Sequence, residues 1–453
     1  MTGAPARRIS PQAAVAVVAI VGLEAVFAAM ARLGDLAGHV VEFTTLALAA
    51  GVLYFIALYA LEHTRESRAV LWVILLGALA FRLTLFPYPP SLSTDVQRYR
   101  WDGHVQNAGF NPYAVSPRDP ALAPLRDSGW AVMPAPEIPT MYPPLSELVY
   151  RITWRFLPGP VGFKVPFLLA DLAVAAMLAG WVRASGARNF QLAIYAWNPL
   201  VIVEFASSGH NDSLAIAGVI AALLIIRRRP GVSTLALTAG ALSKAFPVVL
   251  LPLALRRAGW PGRVRGWLAA LGCAAIAAAC VWPYYKGWRQ FLGMLKYYQA
   301  TWRGYNASLY SVFLWFSGSH EFAAGIGEGV VLGLALWLAL RRAEPARAAF
   351  LLIGAVLLLA PNGYSWYFTW IVPLLCFFPS SAWLLLTILQ FLSYKVWIDY
   401  RALGVWHFDP FFQWLTYAPF FALLAWEVFR RRGNQHGDFA AGNAEFSGNF
   451  GRP

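Results

Sequence analysis

The stretch PQAAVAVVAIVGLEAVFAAMARL, residues 11–33, decides the fold class. It is a continuous apolar run of the length that crosses a hydrocarbon core of ~30 Å as a helix, and only Glu24 interrupts its middle. Backbone in lipid must satisfy its own hydrogen bonds, which leaves helices or a closed barrel. Because the run does not alternate, it predicts a helix, and its full length favours a retained first span over a cleaved signal.

Similar apolar runs recur along the chain and predict an all-α, polytopic transmembrane bundle of about 12–13 spans. The predicted spans are 11–33, 44–62, 69–88, 160–183, 190–207, 210–226, 264–283, 322–341, 347–361, 364–379, 381–398 and 412–430. The stretch 232–255 is interrupted by Ser243, Lys244 and Pro247. This interruption predicts two half-helices that enter and leave on one face of the membrane.

Composition supports a membrane protein and argues against a nucleic-acid-binding one. Of 453 residues, 59% are hydrophobic and 13% are charged, whereas soluble domains carry roughly a quarter charged residues. The net charge of +14 comes from basic residues in short loops between apolar runs, which is the pattern of the positive-inside rule. The lipid bilayer is therefore an expected partner, and nucleic acid is not. The three cysteines lie in apolar stretches and indicate neither disulfides nor a metal site.

Topology follows from these basic loops. With the N-terminus in the cytoplasm, the arginines that flank the spans fall on the cytoplasmic side. The segments then expected on the outer face are 89–159, 207–212, 284–321, 361–367 and 399–410. The sequence thus predicts a multi-pass protein of the inner (plasma) membrane with its site facing the periplasm or exterior. The expected division is N-terminal helices 1–88, an extracytoplasmic catalytic loop 89–159 with interfacial helices, a transmembrane bundle 160–430 and a disordered cytoplasmic tail 431–453.

The first outer loop carries the main candidate for chemistry. Asp95 follows the third span, where partial desolvation would suit a carboxylate to act as a base. It could equally be an N-terminal helix cap or a solvated loop acid, and Thr94 before it could cap a helix running to about Asn107. Asp102 lies two turns further along and could bind substrate or pair with a neighbouring arginine. Arg98 suits a phosphate, in a substrate or in a lipid headgroup.

Other candidates lie far from this loop in the sequence. Tyr142 precedes an amphipathic stretch. It could contact a substrate, or it could be an interfacial anchor. His210 and Asp212 form a polar turn between two apolar runs, where such residues are costly and usually functional, although Asp212 could also cap a helix. Lys244 must snorkel, line a cavity or pair with an acid such as Glu204 or Asp171.

An aromatic outer segment completes the set. Tyr364, Trp366 and Tyr367 could stack on a sugar or could simply be interfacial aromatics. The same two interpretations apply to Tyr297, Tyr298, Trp302 and Tyr305 in the 284–321 segment.

Taken together, the polar segments resemble a known family. The loop STDVQRYRWDGHVQNAGFNPYAVSPRDPALAPLRD (93–127), followed by PTMYPPLSELVY (139–150), is similar to the first outer loop of integral-membrane GT-C glycosyltransferases. The closest similarity is to bacterial polyprenol-phosphate-mannose-dependent mannosyltransferases. WNPLVIVEFASSGHNDSLAIA (197–217), SKAFPVVLLPL (243–253) and NGYSWYFTWIVPLL (362–375) extend the resemblance over most of the chain.

The resemblance implies a membrane hexosyltransferase of cell-envelope biogenesis. Its donor would be a sugar on a polyprenyl phosphate, with mannose as the family-level expectation, and its acceptor a lipid or a glycan. The match of the family's loop acid is Asp95, which would act as base and give an inverted product. Many relatives carry an acidic pair here, whereas this chain has Thr94 before Asp95, so a mechanism with a single acid and no metal or other cofactor is expected.

Two other functions remain open from the sequence. A flippase or transporter for polyprenyl lipids or glycolipids would also combine many helices with buried charges, but it would place such groups near the bilayer midplane and often show repeats. A non-enzymatic assembly partner would need no particular acid.

Overall fold

The computed structural model describes residues 10–406 and 408–447, with all side chains up to Arg430 except those at 295, 298 and 299. Over these residues the protein is helical and has no strands, which confirms the predicted all-α polytopic bundle. Seven described helices are long and apolar enough to cross a membrane. They are Pro11–Leu33, Val40–Glu62, Arg68–Leu85, Gly162–Ala184, Val264–Met294, His320–Leu340 and Ser381–Leu403.

The first three helices form an antiparallel layer: α1 (Pro11–Leu33), α2 (Val40–Glu62) and α3 (Arg68–Leu85). Ser10 caps α1 by accepting a hydrogen bond from Ala13 N, and Pro11 occupies the first helical position, which needs no donor. Small residues let α1 and α2 approach closely, as helices in lipid do when they pack by contact rather than by hydrophobic exclusion.

A helical loop layer follows: α4 (Asp95–Asn107), α5 (Ser128–Val132) and α6 (Pro144–Phe156). The predicted helix to Asn107 is confirmed. Its apolar face is not free to contact lipid, however, because Trp101 and Val105 pack against Leu122 and Met133 of the proline-rich segment. The helix is therefore held inside the protein, between that segment and α6.

Several predicted spans are broken rather than continuous. The 190–207 span consists of α8 (Phe190–Ala196), α9 (Pro199–Ile202) and a π-helical turn Val203–Ser207. It breaks because Asn198 Oδ1 accepts from the N–H groups of Leu200 and Val201 and so starts a new helix. The 364–379 span is a 3-10 turn followed by α18 (Val372–Leu375). Of the about 12–13 predicted spans, seven are therefore long continuous helices among the described residues, and others are short or broken.

The expected half-helices at 232–255 are confirmed. They are α11 (Pro230–Ser243) and, after a 3-10 turn, α12 (Leu251–Ala258). Each is too short to cross a hydrocarbon core of ~30 Å at 1.5 Å per residue. Lys244 lies between them.

The remaining helices complete the bundle. They are α7 (Val165–Ala184), α10 (Asp212–Ile225), α13 (Val264–Val281), α14 (Trp288–Thr301), α15 (Leu309–Ser317), α16 (His320–Leu340), α17 (Pro345–Leu359), α19 (Ser381–Leu389), α20 (Val396–Leu403) and α21 (Pro410–Ser447). Helix α21 runs past the predicted start of the tail at 431. Because residues 448–453 and the side chains from 431 on lie outside the described part, a disordered tail stays a prediction.

The arginine-rich loops contact one another at one end of the bundle. Arg188 pairs with Glu66 at 3.3 Å, which joins the loops after α7 and α2. Arg227 pairs with Glu344 at 3.2 Å, which joins the loops after α10 and α16. We call this the basic end.

The loops predicted to lie outside meet at the other end. Arg401, in α20, pairs with Asp35 after α1 at 2.6 Å. Trp397 Nε1 donates to Leu92 O at 2.9 Å, and Gly304 N donates to Pro361 O at 2.8 Å. We call this the site end, because all the predicted site residues lie towards it.

Candidate active site

The site end contains a cavity of about 1250 Å³. Its wall comes from the first outer loop, the tip between α11 and α12, and the loops before α15, α18 and α21. Predicted site residues that line it are Asp95, Arg98, Tyr142, Lys244, Tyr364, Trp366 and Tyr367. Segments separated by up to about 300 residues therefore share one concave surface, the usual form of a small-molecule site.

Asp95 is the first residue of α4 and reaches the cavity with a side chain that is 21% exposed. The backbone holds it there, because Asp95 N donates to Ser93 Oγ at 3.2 Å. Burial raises the pKa of Asp95 above its ordinary value, and the charges of His210 and Lys244 lower it in part. A carboxylate with this mixture of burial and access can accept a proton from a bound hydroxyl.

His210 lies directly behind Asp95 and is fully buried. Its Nε2 is 3.9 Å from Asp95 Oδ2, and its Nδ1 is 2.9 Å from Glu204 Oε2. The ring stacks on Trp366 with centroids 4.1 Å apart. The imidazole is thus held between two carboxylates.

Lys244 and Asp212 form an ion pair at 3.0 Å beside Asp95. The lysine ammonium also donates to Asn211 Oδ1 at 3.3 Å and lies over the ring of Tyr367. Trp370 Nε1 donates to the other carboxylate oxygen of Asp212 at 2.7 Å. Lys244 is 16% exposed, so it keeps a face towards the cavity. Its partner is Asp212 and neither of the two acids expected from the sequence.

Those two acids have other partners. Asp171 binds Arg82 at 2.5 Å and accepts from Tyr195 at 2.6 Å, deep between α3, α7 and α8. Glu204 accepts from Tyr394 at 2.6 Å and faces His210.

Arg98 and Asp102 pair with each other below the cavity wall. Arg98 Nε lies 3.1 Å from both oxygens of Asp102, and its Nη atoms donate to the carbonyls of Ala135 and Ile138. The guanidinium therefore ties α4 to the 133–143 segment that lines the cavity.

A second buried carboxyl lies beside this pair. Glu147 accepts from Thr140 Oγ1 at 2.7 Å and from Gln106 Nε2 at 2.8 Å. Burial raises the pKa of Glu147 well above its ordinary range, and the nearby Asp102 raises it further. Burial also raises the pKa of Asp102, against the opposing charge of Arg98. Both carboxyls are therefore harder to ionise than in water, and Arg98 supplies the cation beside Asp102.

The turn that carries His210 depends on a glycine. Gly209 has φ +70°, and an added Cβ would lie 2.6 Å from Lys164 Cγ and 3.2 Å from Val96 Cγ2. Lys164 is itself buried and donates to the carbonyls of Tyr88 and Ala206. This close contact sets the separation between the histidine turn and the start of α4, and therefore between His210 and Asp95.

A comparison with protein families identifies the family of the chain. The family model described as alpha-(1->6)-mannopyranosyltransferase, N-terminal domain (MptA/B family), matches residues 9–258, more than half of the chain. This range includes Asp95, His210, Asp212 and Lys244. The chain belongs to the alpha-(1->6)-mannopyranosyltransferase family. No curated protein and no solved structure matches it. The protein is therefore a membrane mannosyltransferase.

The mannosyltransferase cavity has an aromatic wall made of a continuous stack. The stack starts at His210 and Trp366 and passes to Tyr364, with 4.7 Å between the Trp366 and Tyr364 centroids. It continues to Tyr305 at 4.6 Å and to Trp406 at 5.8 Å. Four chain segments far apart in the sequence are joined in this way. Tyr142 lies apart from the stack, edge-on to Tyr99, near the first outer loop.

The sequence analysis did not assign Glu204 or Asn211 to the candidate site. Asn211 Nδ2 donates to Tyr150 and Ser146, so it connects the histidine turn to α6. The sequence contains one indication that Glu204 is functional, because it is an acid within an apolar stretch. That its side chain faces His210 follows from the π-helical turn, which the sequence does not predict. No group of three His, Cys, Asp or Glu side chains among the described residues is arranged to hold a metal ion.

Proposed function

We propose that this mannosyltransferase moves mannose from a polyprenyl-phosphate donor to a hydroxyl of a lipid or glycan acceptor, on the extracytoplasmic face. The observation that carries the proposal is Asp95, a partly buried carboxylate at a large cavity that also presents Lys244. The reaction needs a base for the acceptor hydroxyl and a cation near the leaving phosphate, and both are present.

The proposed orientation rests on charge. The basic end gathers the arginine-rich loops, which the positive-inside rule assigns to the cytoplasm. The site end is opposite, so the cavity would open towards the periplasm or exterior. A nucleotide sugar in the cytoplasm would not reach it, whereas a donor carried by a membrane lipid would.

The proposed reaction is a single displacement of the GT-C type. Asp95 takes the proton of the acceptor hydroxyl as its oxygen bonds to the anomeric carbon. The bond from that carbon to the phosphate oxygen breaks on the opposite face, and the electron pair leaves with the lipid phosphate. Lys244 stabilises the added negative charge. A β-linked donor would give an α-linked product. No metal and no cofactor take part in this scheme.

Cavity size supports a site for two substrates. A volume of about 1250 Å³ exceeds the ~300–1,000 Å³ that commonly holds one small ligand. Donor sugar, phosphate and the end of an acceptor could occupy it together, as direct transfer requires.

Transfer assays with Asp95→Asn test the proposal. Purified full-length protein in lipid nanodiscs would receive radiolabelled polyprenyl-phosphate mannose and octyl α-mannoside. We expect Asp95→Asn to lower kcat by about 10²- to 10⁴-fold, the contribution of a general base, with little change in donor binding. Asp127→Asn is the matched control, because Asp127 is an acid of the same loop that lies outside the cavity.

Wild-type activity in Asp95→Asn would remove Asp95 from the role of base. A wild-type protein that moves the labelled lipid across the bilayer and forms no glycosidic bond would favour the transporter.

A further inference from the structure

The acid nearest His210 lies on an unusual turn of backbone. Residues Val203–Ser207 form a π-helical turn, and His210 N donates back to Glu204 O at 3.0 Å. Such turns are rare and often mark functional sites. Here the turn presents the buried Glu204 carboxylate to the histidine ring.

Both oxygens of Glu204 have a neighbour. Oε1 accepts from Tyr394 Oη at 2.6 Å, and Oε2 lies 2.9 Å from His210 Nδ1. Tyr394 in turn accepts from Ser365 Oγ at 3.1 Å. Glu204 is therefore fixed from one side by a tyrosine and faces the imidazole with the other.

The two ring nitrogens of His210 face different acids, Nδ1 towards Glu204 and Nε2 towards Asp95. Its ring is fully buried and held in plane by Trp366. Neither Nδ1 nor Nε2 makes a well-aligned hydrogen bond within the described residues. With Nδ1 carrying the proton next to Glu204, Nε2 presents a lone pair towards Asp95 Oδ2 at 3.9 Å.

We infer that Glu204 and His210 form a proton relay behind Asp95, which returns Asp95 to its carboxylate form in each turnover. The inference deepens the proposed function and depends on it. The acceptor proton moves to Asp95 as the new glycosidic bond forms and then to His210 Nε2. Asp95 is again an anion, and the imidazolium lies between two carboxylates. Glu204 favours this charged arrangement over a neutral acid beside a neutral imidazole. After the product leaves, the proton returns through Asp95, whose side chain is 21% exposed, to water in the cavity.

Other charged groups around the ring do not replace this pair. The groups that face it from the packed elements are Asp95 on α4, Glu204 on the π-helical turn, Asp212 on α10, Lys244 after α11, Tyr394 before α20 and Lys164 before α7. Lys244 and Asp212 neutralise each other. Lys164 donates to the backbone carbonyls of Tyr88, Ala206 and Ser207. Glu204 is thus the anion that acts on His210 from the side away from the cavity.

Glu204 and His210 are positioning residues, and Glu204→Gln tests them. The amide keeps the size and the acceptor for Tyr394 but removes the charge. We expect kcat to fall about 10- to 100-fold with the KM for polyprenyl-phosphate mannose unchanged. Without Glu204 the histidine takes up the proton of Asp95 less readily, and the pKa of Asp95 rises because the His210 charge lowers it more than Glu204 raises it. The acid limb of the pH profile of kcat/KM should therefore move to higher pH.

Three further variants complete the experiment. Glu204→Asp keeps the charge and should restore the acid limb of the wild type. His210→Gln should show the same shift as Glu204→Gln. The double variant should be no slower than either single variant, because residues that act as a unit lose their effect together. Donor binding to each variant, measured with labelled polyprenyl-phosphate mannose, establishes that the site is folded.

Two results would overturn the relay. One is a wild-type acid limb in Glu204→Gln, and the other is strictly multiplicative losses in the double variant. Either result would leave the proposed function intact if Asp95→Asn still abolishes transfer. Absence of transfer by the wild type would instead refute the proposed function itself.

Discussion

At the residue scale, the charged side chains around the site are paired with one another, and Asp95 is left open to the cavity. Arg98 contacts Asp102, Lys244 contacts Asp212, and His210 contacts Glu204. Asp95 is the acid among them with no partner within hydrogen-bonding distance of its carboxylate in the described residues. A base needs this state, because a tight ion pair would compete with the acceptor for its lone pairs.

The raised pKa of Asp95 predicts a shift in the pH dependence of transfer. A base must be ionised, so the rate should fall as pH drops through its pKa. Since burial raises the pKa of Asp95, the acid limb of kcat/KM should lie above the ordinary carboxyl value of about 4. Rates measured from pH 4 to pH 8 check this. An acid limb at or below pH 4 would mean that the carboxylate is better solvated than the structure shows.

The Lys244–Asp212 pair predicts separate effects on stability and on catalysis. Lys244→Met leaves a buried carboxylate without its cation, which should cost about 3 kcal/mol of unfolding free energy. Adding Asp212→Asn should recover most of that stability but not the transfer rate, because the phosphate still lacks its cation. Thermal unfolding and transfer assays on both variants test this. Recovery of the rate in the double variant would make Lys244 purely structural.

At the element scale, regular helices were predictable and irregular turns were not. Helix α4 and the half-helices on either side of Lys244 followed from caps, prolines and apolar periodicity. The π-helical turn did not, because its acid lies six positions before His210 and no helical period places the two side chains face to face. The covered face of α4 was also missed, since periodicity shows that a face is apolar but not which partner covers it.

The contact between the histidine turn and α4 predicts a strong effect of Gly209→Ala. The methyl group would need a left-handed backbone and would press on Lys164. A shift of about 1 Å between His210 and Asp95 can lower a rate ~10²-fold, and transfer assays should show a loss of at least about tenfold.

Gly186→Ala is the matched control for that change. It has the same φ of +70°, and its added methyl group would meet nothing within 4 Å, at the basic end. It should cost about 1–2 kcal/mol of backbone strain and leave transfer unchanged. Equal activities in the two variants would show that the turn adapts.

At the scale of the whole molecule, charge in the loops predicted the two ends. The loops assigned to one side of the membrane contact one another through Arg188 and Arg227, and those assigned to the other side meet around Arg401. The composition of the cavity could not be predicted in the same way. Its wall combines residues from five segments, and their meeting depends on broken helices whose ends no hydropathy pattern defines.

Labelling can establish which end faces outward. Two exposed positions are suitable for single cysteines: Ala123 at the site end and Ser185 at the basic end. The variants are Ala123→Cys and Ser185→Cys. In cells whose protein has its three native cysteines replaced by alanine, a membrane-impermeant maleimide should label the first and not the second. The opposite pattern would place the cavity in the cytoplasm and refute the proposed donor.

The ring stack that runs from His210 to Trp406 limits how such an enzyme can diversify. Apart from the pair Trp366 and Tyr364, each ring stacks on one contributed by a different part of the chain, so replacing the outermost segment removes the support of the next. Homologues or engineered hybrids that exchange the 399–410 segment alone should lose alignment of the inner rings. A change in acceptor preference would then require simultaneous changes in all four segments that contribute rings, because exchange of a single loop would disturb the stack.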